Sequence, residues 1–137
     1  MVAGPTNPST SCTSTSCWRA QAPEAIGAIH TVDTIKHIVM WKVAGDSAQT
    51  RATSATKVKR AFEALRGRIP GLQYLEVGVD FSAVDYACDM VLYTEFDSQA
   101  SLDAYAKHPD HLRVREELEG LRIARYQVDY VVAGAKA

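Results

Sequence analysis

The sequence contains no run of about 18 consecutive apolar residues, the length that a bilayer-spanning helix needs. It has little net charge, since 15 Lys and Arg against 16 Asp and Glu give −1 at pH 7, so no strong field attracts nucleic acid or an anionic membrane. Cysteine is also scarce, and Cys12, Cys17 and Cys88 follow no metal-binding spacing. These absences argue against a membrane protein, a nucleic-acid partner, a disulfide framework and a zinc site, and they favour a reducing cytoplasm.

A chain of 137 residues with 47% hydrophobic and 23% charged residues predicts one soluble globular domain. Its first part differs from the rest, because residues 5–17 read PTNPSTSCTSTSC and show no apolar periodicity. Such a segment cannot bury enough surface to offset its ordering entropy, and it lacks the apolar centre of a secretory signal. We therefore expect a disordered or irregular tail over residues 1–33, a folded domain over 34–133 and a short tail over 134–137.

Alternating residues predict a first strand over residues 35–43, IKHIVMWKV. One face of it would hold Ile35, His37, Val39, Trp41 and Val43, and the other would hold Lys36, Ile38, Met40 and Lys42. The second face is apolar at its centre, which a strand open to water does not require. We expect both faces of this strand to be covered.

Helical spacing follows, with Val58, Phe62, Leu65 and Ile69 at steps of four, three and four, and we expect this helix to run to Pro70-Gly71. Strands are predicted over residues 72–79, 89–96 and 124–132. Between the last two, Asp97-Ser98 predicts the start of a helix, which Pro109 breaks into two parts.

The order β-α-β-β-α-β predicts an α+β domain whose four-stranded antiparallel sheet carries its helices on one face. The other face would expose Ile38, Met40, Val91, Tyr93 and either Leu75 or Tyr74. An apolar patch of that size is more than a monomer usually exposes. We therefore expect a homodimer that packs two sheet faces together.

Two segments carry a resemblance to a known family. The first strand, and the block 89–96 followed by YAKHPDH at 105–111, resemble the stress-responsive dimeric A/B-barrel (Dabb) family, whose pattern is Tyr-x-x-His-Pro-x-His. The resemblance covers about residues 34–132. It implies a ferredoxin-like subunit, a dimeric α/β barrel and a cleft between helices and sheet. In a branch of polyketide cyclases, pocket residues match His37, Tyr105 and His111, although members of unknown activity also have them.

These three residues suggest a site for a small molecule. His37 lies on the strand face expected beneath the helices, and Tyr105 and His111 would point at it from the broken helix. In a cofactor-independent cyclase or lyase, His111 would be the general base that removes a proton next to a carbonyl. Tyr105 would donate to the enolate oxygen, and His37 would orient or relay. The remaining predicted pocket-lining residues are Val39, Trp41, Phe62 and His108.

Other interpretations stay open. Tyr105, His108 and His111 could form a buried network that only stabilises the helix break, as in a non-enzymatic stress or stability protein. A relationship to ferredoxin-like monooxygenases would rest on shared fold alone. His108 and His111 are three residues apart, but Pro109 separates them and no third ligand is evident, so we expect no metal and no cofactor.

Overall fold

Seven elements follow one another along the computed structural model, which describes residues 33–133. The expectations for residues 1–32 and 134–137 lie outside these residues. None of the described helices is both long and apolar enough to cross a bilayer. The elements are β1 (Thr34–Val43), α1 (Ala48–Glu63), β2 (Leu72–Val79), β3 (Met90–Phe96), α2 (Gln99–Lys107), α3 (Pro109–Glu117) and β4 (Arg122–Val132).

The four strands form one antiparallel sheet in the order β2-β3-β1-β4. The first strand is therefore central, paired with β3 on one side and with β4 on the other. This order, with helices in the two crossover connections, is the ferredoxin-like arrangement. The predicted fold class is confirmed, including the split of the second helix.

The core lies between the sheet and the helices. Along β3, buried and half-buried residues alternate without exception, as expected for a strand with one covered face. Val39 and Trp41 of β1 are buried against α1, where Val58 and Phe62 are almost fully enclosed. The Trp41 and Phe62 rings stack with their centroids 5.0 Å apart. These contacts fix α1 across the middle of the sheet.

The first helix ends earlier than its spacing predicted, at Glu63 and not at Ile69. Residues 64–68 form turns, and Gly67 adopts a φ of +76°, which a glycine accepts without steric cost. Leu65 and Ile69 are nevertheless buried, at 1% and 5% exposed. The predicted end of the helix was wrong because Leu65 and Ile69 keep helical spacing and are buried, although the segment that holds them forms turns.

Capping side chains define the break between α2 and α3. Ser98 Oγ accepts the Ser101 backbone N–H at 3.1 Å at the start of α2. His108 Nδ1 accepts the Asp110 backbone N–H at 3.1 Å at the start of α3. Pro109 is the first residue of α3, a position where its missing N–H costs nothing. The backbone of His108 is extended (φ −63°, ψ 135°), so the helical path is interrupted there and two short helices replace one.

The opposite face of the sheet carries no helix from the described residues; we call it the bare face. Of the two alternatives for β2, Tyr74 lies there, because it is 46% exposed while Leu75 is only 4% exposed and faces the helices. The bare face is apolar at its centre and has a Lys36–Glu95 ion pair of 3.6 Å at one end. Its most exposed apolar members are Met40, Tyr74, Tyr126, Val128 and Tyr130.

Replacing Leu65 by Ala should lower the free energy of unfolding by about 2–5 kcal/mol, because a buried side chain is removed and leaves a cavity. Leu112→Ala is the matched control, since Leu112 is 44% exposed and its loss should cost less than about 1 kcal/mol. Urea unfolding at fixed protein concentration measures both. Equal losses in the two variants would contradict the packing described for residues 64–69.

Candidate functional site

A cavity of about 280 Å³ lies between the helices and the sheet. Its walls combine three kinds of side chain: titratable and aromatic groups, apolar groups, and arginines. The first set is His37, Tyr105 and His111; the second includes Val39, Trp41, Phe62 and Leu92; the third is Arg115, Arg122 and Arg125. The structure thus brings together the three residues that the sequence analysis proposed as catalytic.

The strand alternation and the helix break explain this convergence. His37 shares the helix-covered face of β1 with Val39 and Trp41 and is 6% exposed. Tyr105 lies near the end of α2 and His111 near the start of α3, so the turn at Pro109 lets both rings face the sheet. The Tyr105 and His111 centroids are 4.2 Å apart, and the Tyr105 ring meets His37 edge-on at 6.1 Å.

His37 is paired with a carboxylate. Asp129 lies opposite it in the β1–β4 register, and His37 Nδ1 is 2.5 Å from Asp129 Oδ1. The second Asp129 oxygen accepts the Gln127 side-chain amide at 2.9 Å. A carboxylate on Nδ1 favours the tautomer whose Nδ1–H donates, which leaves the lone pair on Nε2. That nitrogen has no hydrogen-bond partner among residues 33–133.

Tyr105 is buried with its hydroxyl unpaired. The side chain is 2% exposed, and its oxygen has no partner within the described part of the chain. Burial raises the pKa of Tyr105 well above its usual range, and the nearby Arg125 and Arg122 charges only partly oppose this. The phenol therefore stays protonated. An unsatisfied buried hydroxyl costs about 1–3 kcal/mol, so this O–H is available to an acceptor on a ligand.

His111 is held neutral by its surroundings. Burial lowers its pKa to about 4, the Ala106 carbonyl opposes this, and the charges of Arg115, Arg125 and His37 lower it further. Its Nδ1 lies 3.4 Å from the Ala106 carbonyl, a long contact for a hydrogen bond. The ring is therefore uncharged at neutral pH and is a weak base.

Three arginines that the sequence pattern did not indicate as site residues also line the cavity. Arg115 comes from α3, and Arg122 and Arg125 come from β4. The Arg122 guanidinium carbon lies 5.3 Å from the centre of the Trp41 ring. One signal could have revealed Arg125: in the ferredoxin-like order β4 lies beside β1, so alternation places Arg125, Gln127 and Asp129 on the face that holds His37.

His108 does not line this cavity, contrary to the sequence analysis. It is half-buried at the helix break, where its Nδ1 caps α3. That nitrogen accepts a backbone N–H, so it is already occupied as a helix cap. Within residues 33–133, no group of three or more His, Cys, Asp or Glu side chains is arranged to hold a metal ion.

Comparisons with known proteins agree with this fold. The family model described as the stress responsive A/B barrel domain matches residues 35–132. A dimeric protein of unknown function with a ferredoxin-like fold from Bacteroides fragilis is 30% identical, with a TM-score of 0.65 over 72% of this chain and 96% of that chain. A dimeric ferredoxin-like protein of unknown function from Jannaschia sp. is 26% identical, with a TM-score of 0.58 over 72% and 99%.

A hydroxynitrile lyase from Passiflora edulis is 14% identical, with a TM-score of 0.60 over 74% of this chain and 94% of that chain. At this identity the likeness shows the fold alone. No curated protein sequence matches the chain.

The depressed pKa of His111 predicts a pH dependence of stability. In the unfolded chain the pKa of His111 returns to its ordinary value of 6.5, so between about pH 6.5 and about pH 4 the unfolded state binds more protons than the folded state. The free energy of unfolding therefore does not vary with the titration of this group above pH 6.5, where its contribution is complete, and it decreases as the pH falls toward 4. His111→Gln should therefore lose less stability than the wild type between about pH 7 and about pH 5, measured by urea unfolding. Equal losses would contradict the assignment.

Proposed function

This chain belongs to the stress-responsive A/B barrel domain family, and from that premise we propose that it binds a small carbonyl compound and removes a proton from the adjacent carbon. The observation that carries the proposal is the unpaired, buried hydroxyl of Tyr105, which lies in a cavity beside two histidines. Buried hydroxyls normally have partners, so one that lacks a partner among residues 33–133 supports a ligand acceptor.

Tyr105 would bind the carbonyl oxygen. Its hydroxyl remains a donor because burial keeps the pKa high. As the proton leaves the adjacent carbon, the electron pair of the C–H bond moves into the enolate and negative charge grows on the oxygen. A donor already aimed at that oxygen stabilises the enolate more than the ketone, which is how such a group accelerates the step.

His37 is better suited than His111 to be the base, which reverses the roles expected from the sequence. The Asp129 carboxylate accepts the Nδ1–H of His37 and holds that tautomer, with Nε2 ready to accept a proton. Burial, and then the charges of Arg115 and Arg125, disfavour a positive charge on the His111 ring. His111 would instead pack against Tyr105 and hold its ring in place.

The enolate could continue along either of two courses. It could attack a second carbonyl, which closes a ring as the C=O π pair moves to oxygen and that oxygen takes the proton from His37. Alternatively, it could expel a leaving group from the neighbouring carbon, which departs with the bonding pair and takes that proton in a lyase reaction. The enolate-forming step requires only a base and an oxyanion donor. The proposed activity is therefore a cofactor-independent cyclase or lyase.

A non-enzymatic stress or stability protein is the alternative, and the aromatic packing supports it. Phe96, Tyr105 and His111 form a continuous series of ring contacts, with centroids 5.2 Å and 4.2 Å apart. Phe62 extends the series from His111 at 6.4 Å. In this alternative Tyr105 and His111 would serve packing alone.

Deuterium exchange separates the two functions. Phenylacetone in D₂O should lose its benzylic proton NMR signal faster with the wild-type protein than in buffer. His37→Gln should slow the catalysed exchange by about 10²–10⁴-fold, because the base is lost. Tyr105→Phe should slow it by about 10²–10³-fold, because the enolate loses its donor.

His108→Asn is the matched control, because this histidine lies outside the cavity and asparagine can still cap α3. It should exchange phenylacetone at the wild-type rate. Exchange no faster than in buffer with the wild-type protein would support the non-enzymatic alternative. Loss of exchange in His111→Gln but not in His37→Gln would return the role of base to His111.

We also propose that the chain forms a homodimer through the bare face. Tyr126, Val128 and Tyr130 of β4 are each between 42% and 54% exposed there, beside Met40 of β1 at 38%. The relatives from Bacteroides fragilis and Jannaschia sp. are dimeric. A second copy would cover this apolar surface and leave the cavity, on the other side of the sheet, unobstructed.

Val128→Lys should convert the dimer to a monomer, because a lysine charge would be buried at the centre of the apposed faces. Val131→Lys is the matched control: Val131 is 55% exposed but pairs with Ile35 on the opposite side of the sheet. Sedimentation velocity measures the mass of each. A wild-type monomer, or equal dissociation of both variants, would contradict the proposed interface.

A further inference from the structure

The cavity holds an excess of positive charge. Arg115, Arg122 and Arg125 line it, and no Asp or Glu of the described residues does. None of the three forms an ion pair with a carboxylate among residues 33–133, whereas Arg113, on the outer side of the same helix as Arg115, lies within 4 Å of both Asp110 and Glu117. The local charge therefore contrasts with a chain whose net charge is −1.

Arg122 is the best placed of the three. Its guanidinium lies over the rings of Trp41 and Phe62, 5.3 Å and 5.8 Å from their centres. Burial and the charges of Arg125 and Arg115 lower its pKa, yet a guanidinium remains protonated at neutral pH. A half-buried charge without a counter-charge is unfavourable unless an anion joins it. The two rings hold the group in position before any ligand arrives.

Arg125 lies near a carboxylate but does not pair with it. Its guanidinium donates to Gln127 Oε1 at 2.5 Å, and the Gln127 amide in turn donates to Asp129. Gln127 thus separates Arg125 from Asp129, whose other oxygen belongs to His37. A guanidinium has five N–H donors, so Arg125 keeps others for a ligand.

We infer that the compound bound in this cavity carries a carboxylate, which Arg122 and Arg125 bind while Tyr105 holds its carbonyl oxygen. The inference rests on the proposed function and defines its substrate class as small keto acids. Arginine binds carboxylates through paired N–H donors, and such charge-assisted bonds are about twice as strong as neutral ones. A volume of about 280 Å³ limits the ligand to less than drug size.

A matched pair of probes tests the inference. Meta-acetonylbenzoate and meta-acetonylbenzamide share a ketone and a ring, and they differ only in the charge of the second group. Isothermal titration should show that the acid binds wild-type protein at least about tenfold tighter than the amide, and that added salt weakens only the acid. Arg122→Gln and Arg125→Gln should each weaken the acid by about 10–100-fold and leave the amide unchanged.

Arg60→Gln is the control, because Arg60 is exposed on α1 away from the cavity and its loss changes the net charge equally. It should bind both probes as the wild type does. Arg122 also packs on two rings, so its replacement could distort the cavity. A distorted cavity would weaken binding of the amide as well, whereas a lost anion contact would weaken only the acid, as it should in Arg125→Gln.

The outcomes separate this inference from the proposed function. Equal binding of acid and amide to the wild type would overturn the carboxylate assignment and leave the carbonyl site intact. Weaker acid binding in Arg60→Gln to the same extent as in Arg122→Gln would also overturn it, because the effect would then be one of net charge. Absence of binding by both probes, with no exchange of phenylacetone, would overturn the proposed function itself.

Discussion

The antiparallel register between β1 and β4 places Asp129 opposite His37, and the arrangement of the whole candidate site depends on this pairing. A shift of one residue would move Asp129, Gln127 and Arg125 to the other face of the sheet, because successive side chains in a strand alternate. The same pairing gives His37 its carboxylate and sets Arg125 beside the cavity. It also leaves Tyr126, Val128 and Tyr130 on the bare face. The register therefore turns the polar residues of β4 toward the cavity and its apolar residues toward the bare face.

The helix break at Pro109 is the second constraint. A continuous helix would place Tyr105 and His111, six residues apart, on different sides of its axis. The turn at His108 allows both rings to line one cavity, tilted against each other with their centroids 4.2 Å apart. In this position the Tyr105 hydroxyl has no partner within residues 33–133, and His111 is half-buried. The packing that stabilises the core therefore also leaves the Tyr105 hydroxyl without a hydrogen-bond partner among the described residues.

The electrostatics of the two histidines differ although both line one cavity. His37 lies against a carboxylate, and His111 lies near two arginines. The carboxylate orients the His37 ring, whereas burial and the arginine charges keep the His111 ring neutral. Arg125 both helps burial to keep His111 neutral and is one of the two arginines proposed to bind a carboxylate. In the proposed function, this one residue would therefore affect both the histidine and the ligand.

Local patterns in the sequence determined much of this protein. Alternation placed His37 beneath the helices, and Pro109 marked the break that brings Tyr105 and His111 to the sheet, because both signals depend on neighbours within a few residues. The end of α1 was misjudged, since Leu65 and Ile69 are buried at helical intervals in a segment of turns. His108 was misplaced for a similar reason: spacing along a helix says little about a residue at which the helix stops.

Only the tertiary structure decided how distant segments meet. His37 and Asp129 are 92 residues apart, and no local pattern pairs them. Arg122 of β4 looks like an ordinary surface charge until strand pairing places it over the rings of Trp41 and Phe62. Strand periodicity predicts the face of the sheet on which a side chain lies, but only strand pairing determines which residue of the neighbouring strand lies opposite it. Local sequence determines which residue types lie on each face. Strand pairing determines that His37 has a carboxylate partner and that Arg122 has none among residues 33–133.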